Sequence, residues 1–155
     1  MKKIIVFGAL ALLVWACGGN ADTSGEPGSA PKSMVKDKEA YDASRGVGKF
    51  TEVEVGESLD KALAAAGRKS YDIKCGSCHK LTDERLVGPG WAGVTQRRTP
   101  VWLMNFMTNV DEMIDKDPEV QAMLEICLVR MPNQNIEDKE ARDLLEYMRE
   151  NDGVK

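Results

Sequence analysis

The chain has 155 residues, 43% of them hydrophobic and 30% charged, which suits one compact unit with tails rather than several domains. Lys and Arg number 21 against 25 Asp and Glu, a net charge of -4, and that balance argues against nucleic acid as the main partner, because phosphate binding needs a basic surface. One His and four Cys are the scarce residues with chemistry of their own, so their positions decide the reading.

In chain order, Lys2 and Lys3 lead into a run of thirteen apolar residues, Ile4–Ala16, that meets Cys17. A charged start, a short apolar stretch and a small residue at its end predict an export signal over 1–16. The run is too short to span a bilayer, which takes about 20 apolar residues. Val14-Trp15-Ala16-Cys17 resembles a bacterial lipoprotein signal, with Trp15 where that pattern prefers a small or aliphatic residue. The resemblance implies that Cys17 is lipidated and becomes the first mature residue; an ordinary cleaved signal with a cysteine nearby is the alternative. Without Lys2 and Lys3 the mature chain carries 19 basic against 25 acidic residues. Residues 17–56 then read as a lipid-attached linker and strap. Gly18–Ser33 holds nothing that can form a core. Beyond it, a short helix around Lys36–Ala43, a turn at Gly46-Val47-Gly48, and an alternating Phe50–Val55 suggest either one strand or an extended strap.

The segment 57–155 is the expected domain, and its elements are helical. Ser58 can cap a helix reaching Lys74, with Leu59, Ala62, Leu63, Ala66, Ser70 and Ile73 as its apolar stripe. Gly67 inside it costs about 1 kcal/mol relative to alanine, a cost that a closely crossing helix would offset. Thr99-Pro100 and Asp117-Pro118 open two shorter helices, Val101–Thr108 and Glu119–Val129. Asn135 can cap a last helix to about Glu150, with the stripe Ile136, Ala141, Leu144, Leu145 and Met148.

Cys75-Gly76-Ser77-Cys78-His79 is a C-x-x-C-H that contains the sole histidine. Two thiols three positions apart at a helix end point the same way, so both can add to the two vinyl groups of one haem. The next residue then lies beneath the iron as an imidazole ligand. A thioredoxin-like motif would sit near a βαβ pattern, and none is present. A zinc site would have to recruit the distant Cys127, a poor match to paired zinc spacing. A Cys75–Cys78 disulfide would be strained and would leave His79 without a role. For the sixth iron position the eight methionines are the natural source. Met104, Met107, Met123 and Met148 fall at helical positions, where packing is their ordinary use. Met131 precedes Pro132 in the loop before the last helix and is the preferred distal ligand, with Met123 second. Cys127 is most simply a buried small hydrophobe.

From about Ser58 to Asp152 the chain resembles the class I c-type cytochromes, the small single-haem bacterial kind. Gly67 and Tyr71 match the glycine and aromatic of that family's first helix, and Tyr147 the aromatic of its last. Gly88-Pro89-x-Trp91-x-Gly93 resembles its Gly-Pro-x-Leu-x-Gly loop. The resemblance implies an all-α fold of four to five short helices wrapped around one covalently bound haem c. It implies that the Pro89 carbonyl accepts the free ring N–H of His79, and that Trp91, in place of leucine, lies on the haem. Trp102 corresponds to a tryptophan near a haem propionate. Arg97 and Arg98 are placed to pair with the propionates, or else are simply solvated charges. Met131 stands at the family's ligand position.

The expected function is electron transfer in the bacterial cell envelope, on a periplasm-facing, lipid-anchored carrier. Its expected partners are a respiratory donor, a terminal reductase or oxidase, and the membrane through its anchor. A haem enzyme or gas sensor with an open distal site, and a permanently docked respiratory subunit, are the alternatives.

Overall fold

The computed structural model describes residues 41–155; the expected signal, Cys17 and the start of the linker lie outside them. Six α-helices are found among the described residues: α1 Lys61–Ser70, α2 Val94–Arg97, α3 Pro100–Thr108, α4 Val110–Lys116, α5 Pro118–Cys127 and α6 Asp138–Asn151. A π-helical turn, Tyr71–Cys75, continues α1. The expected all-α architecture is what the described residues adopt, with α2 and α4 added to the anticipated helices.

α1 begins later than expected, because Asp60 rather than Ser58 caps it. Asp60 Oδ1 accepts the amides of Ala62 at 2.9 Å and Leu63 at 3.1 Å. Its buried face is Ala64, Gly67 and Tyr71, continued by Cys75, and not the larger aliphatic stripe; Ile73 is 81% exposed. The reason is α6. A Cβ on Gly67 would lie 2.5 Å from the carbonyl carbon of Asp143 and 2.9 Å from the Leu144 nitrogen, so only the smallest side chains fit where the helices cross. Alanines stand on both the buried and the exposed side of α1, Ala64 inside and Ala62 and Ala65 outside, which conceals its orientation in the sequence. α6 buries the expected Ala141, Leu144, Leu145 and Met148, together with Tyr147. It starts at Asp138, since Asn135 takes a left-handed conformation (φ 50°) and does not cap it.

The proline-opened helices are capped as anticipated. Thr99 Oγ1 accepts the Trp102 amide at 3.0 Å, and Asp117 Oδ1 accepts those of Glu119 and Val120 at 2.9 and 3.0 Å. α5 ends at Cys127 rather than Val129, on a left-handed Leu128. Between them α4 buries Val110, Met113 and Ile114.

Residues 41–57 are the extended strap, without strand pairing. Its hub is the fully buried Asn105, whose Nδ2 donates to the carbonyls of Arg45 and Phe50, both at 3.0 Å, while its Oδ1 accepts the Phe50 amide at 2.9 Å. Val53 and Val55 pack inward and Glu52 and Glu54 face out, so the alternation is real although no sheet forms.

Candidate haem site

The C-x-x-C-H segment leaves the π turn as a tight loop. Gly76 N donates to Tyr71 O at 2.8 Å, and the amides of Cys78 and His79 both donate to Cys75 O, at 3.0 and 2.9 Å. The Tyr71 hydroxyl donates to His79 O at 2.6 Å, tying the loop back to the helix. Residues 80–92 then fold over it: Val87 and Gly88 amides donate to Cys78 O, and Trp91 N donates to Lys80 O at 2.8 Å.

This fold-back sets His79. The Pro89 carbonyl lies 2.8 Å from His79 Nδ1, and since a carbonyl only accepts, Nδ1 carries the proton. Nε2 is thereby the nitrogen with a free lone pair, the tautomer an iron ligand requires. Burial holds the imidazole below its usual pKa, against the opposing Pro89 bond. Gly88 permits the approach, because a Cβ there would come within 2.8 Å of Nδ1 and 2.9 Å of Nε2.

His79 and Cys78 line an apolar cleft that is open to solvent on one side. Its other walls are Phe106 of α3, Ile114 of α4, Val120, Met123, Leu124 and Cys127 of α5, and the Met131-Pro132 loop. Walls of this apolar character suit a large hydrophobic cofactor. The cysteines fit covalent attachment as well. Both are free thiols, and burial, then the Glu140 carboxylate, push the Cys75 thiol up to about 11. A thioether in that place carries no charge to desolvate. Among the described residues no three His, Cys, Asp or Glu side chains gather as a bound metal ion would need.

The structure brings Cys78, His79, Pro89, Met131 and the second candidate Met123 to one cleft. The remaining candidates sit behind or beside it. Cys75 is in the core, at the head of the C-x-x-C-H turn. Trp91 is buried beside Tyr71, ring centroids 4.9 Å apart, and 6.0 Å from the His79 ring. Arg97 donates to Ala92 O at 2.6 Å and lines an adjoining hollow with Pro89, Met123 and Cys127. Arg98 pairs with Glu119 and lies over the Trp102 ring. Trp102 stacks on Phe106 and gives its indole N–H to Asp117 at 2.9 Å. Cys127 is half-buried at the cleft rather than sealed in the core.

Sequence reasoning missed what holds the Met131 loop. Arg130 donates to Asp115 at 3.0 Å and to Asp111 at 3.4 Å, and Asn133 donates to Asp111 at 3.3 Å, so both flanks of Met131 are fixed to α4. The Asp111/Asp115 spacing at i, i+4 was the available signal, but α4 itself had to be recognised first.

Comparison with known proteins agrees with this geometry. The cytochrome c family profile matches residues 64–152. The solved cytochrome c from Rhodothermus marinus is similar over 68% of this chain and 90% of its own, at 36% identity and a TM-score of 0.65. An engineered form of that cytochrome is 35% identical with the same coverage and a TM-score of 0.65. A structure of the engineered form bound to a carbene intermediate gives 35% and 0.62. No curated protein matches the sequence. A histidine fixed by a proline carbonyl beside two attachment cysteines, in a helical domain matched along most of its length, leads to one conclusion: the chain belongs to the cytochrome c family, whose members carry covalent haem c for electron transfer.

Proposed function

We propose that this chain is a membrane-tethered, periplasm-facing electron carrier with a single His/Met-ligated haem. Cys75 and Cys78 would hold the haem by thioethers, and His79 and Met131 would be the protein ligands to its iron. When bound, the haem would supply a one-electron ferric/ferrous couple. The protein's own contribution is to orient His79 through Pro89, to keep water from the cleft with its apolar walls, and to fix Met131 through Arg130 and Asn133. A methionine thioether among the iron ligands would favour the ferrous state, and an apolar cleft would disfavour the extra charge of the ferric one.

One observation carries the reading: a methionine from an anchored loop shares the cleft with the sole histidine. A site filled on both faces leaves outer-sphere electron transfer as its chemistry. Cys17, outside the described residues, would carry the lipid that keeps the domain near respiratory partners, a donor on one side and a terminal reductase or oxidase on the other. Among the described residues no helix is long and apolar enough to cross a membrane.

The test is a pair of substitutions in the haem-loaded protein. Met131→Ala abolishes the weak far-red sulfur-to-iron band of the oxidised form and lowers the potential, while Met123→Ala leaves the band in place. A band that survives in Met131→Ala removes Met131 from the iron. A second reading, a haem site with an open distal face, draws on the relative whose engineered form is bound to a carbene intermediate. In the present chain such a face would require the Met131 loop to be displaced.

A further inference from the structure

Among the described residues Asp117 is the one carboxylate with 0% exposure, and nothing in the haem reading uses it. Its Oδ1 caps α5 by accepting the Glu119 and Val120 amides. Its Oδ2 accepts the Trp102 indole N–H at 2.9 Å and the Tyr41 hydroxyl from the strap. All four partners are neutral donors, which solvate a carboxylate without cancelling its charge. No Lys or Arg among the described residues forms an ion pair with it, and the nearby Arg98 is paired with Glu119. Burial, followed by the Asp117 hydrogen bond and charge, pushes the Tyr41 hydroxyl well above the usual tyrosine range, so it stays a donor.

Two of these bonds lead to the haem cleft. Val120, whose amide Asp117 caps, lines it directly. Trp102 stacks on Phe106, centroids 5.2 Å apart, and Phe106 lines it too. The carboxylate thus lies one side-chain layer behind an apolar wall, where a charge is weakly screened.

We propose that Asp117 tunes the reduction potential: its buried carboxylate, held by Tyr41, Trp102 and the first turn of α5, favours the ferric haem and holds the potential down. This rests on the haem reading above. Reduction adds one electron, supplied by the redox partner, to a centre that faces a fixed negative charge. The ferrous form loses attraction to that charge.

The experiment is spectroelectrochemical titration of the haem-loaded full chain and two variants. Asp117→Asn removes the charge and keeps the helix cap, for which asparagine is as good a residue. Tyr41→Phe keeps the charge and removes one of its donors. Asp117→Asn is expected to shift the ferric-to-ferrous equilibrium about tenfold toward ferrous, the Coulomb scale for a unit charge one side-chain layer away at an effective dielectric of about 20. Tyr41→Phe is expected to shift it about two- to threefold toward ferric, since a less solvated anion acts more strongly. A merely structural role would admit water in both variants and move both toward ferric. Shifts of the same sign, or an Asp117→Asn value within twofold of wild type, overturn the proposal. Should Asp117→Asn not fold, Asp117→Ser, also neutral and also a good cap, takes its place in the comparison. Absence of the far-red band from wild type counts against the distal methionine alone, because the pair of signs is read whatever that ligand is.

Discussion

Replacing Gly67 by alanine probes the α1–α6 crossing on which the C-x-x-C-H turn is built. A Cβ there would stand 2.5 Å from the Asp143 carbonyl carbon, so α6 must withdraw by about 1 Å to reach ordinary contact. The obstructing atoms are backbone, and no rotamer change relieves them. Overpacking of this kind costs about 1–3 kcal/mol, here at the upper end, while alanine's better helix propensity returns about 1 kcal/mol. The withdrawal also loosens the contacts of Ala64, Leu144 and Tyr147, which are buried at the same crossing. The expected net loss is about 2 kcal/mol, a sizeable share of the roughly 5–15 kcal/mol that a domain of this kind possesses. Urea unfolding of the haem-loaded protein, followed by far-ultraviolet circular dichroism and haem absorbance, measures it. Gly56→Ala is the control, since its nearest neighbour would be Ser58 O at 3.4 Å, and it should be near neutral. A Gly67→Ala protein within 0.5 kcal/mol of wild type, a bound set by ordinary surface substitutions, would refute the crossing argument.

Cys75→Ala and Cys78→Ala each leave one thioether, so the pyridine haemochrome band should move to longer wavelength while haem stays bound to the denatured chain; haem released by acid acetone from wild type would contradict covalent attachment. Lys74 donates to Glu140 at 2.7 Å, linking the π turn to α6. Although burial raises the Glu140 pKa, the hydrogen bonds from Lys74 and Ser70 outweigh it and leave the group below its ordinary value of 4.5. Its folded pKa being depressed, the stabilisation is present above about pH 4.5 and is lost as pH falls through the lower folded value. Glu140→Gln should therefore flatten the acid limb of stability against pH, and an unchanged limb would show the pair to be inert. Cys17→Ser should release a haem-loaded protein from the membrane fraction, or leave it held by an uncleaved signal. A lipid-labelled variant would disprove attachment at that residue.

Much of the site was legible because its chemistry is local. C-x-x-C-H and Gly-Pro lie within fifteen residues of each other, and the backbone bonds of the fold-back join near neighbours, so the His79–Pro89 bond follows from sequence order. The caps at Thr99 and Asp117 were equally local. Orientation of α1 was not. Its alanines carry no facial signal, and the choice of Ala64 and Gly67 over Leu63 and Ile73 is made by the distant α6 backbone. α4 was hidden because Asn109 caps it without a side-chain bond and four of its seven residues are acidic or basic. The second bonds of Asp117 to Tyr41 and Trp102 span 76 and 15 residues, and the Arg130 anchors span 15 and 19. Contacts at such separations depend on tertiary placement that no single-sequence pattern encodes.

Carbon monoxide binding to the ferrous full chain tests most directly whether the haem is closed on both faces. A carrier with Met131 on the iron gives almost no carbon monoxide difference spectrum at neutral pH, and Met131→Ala gives a full one. Stoichiometric binding by the wild-type protein would contradict the carrier and favour an enzyme or gas sensor with an open distal face.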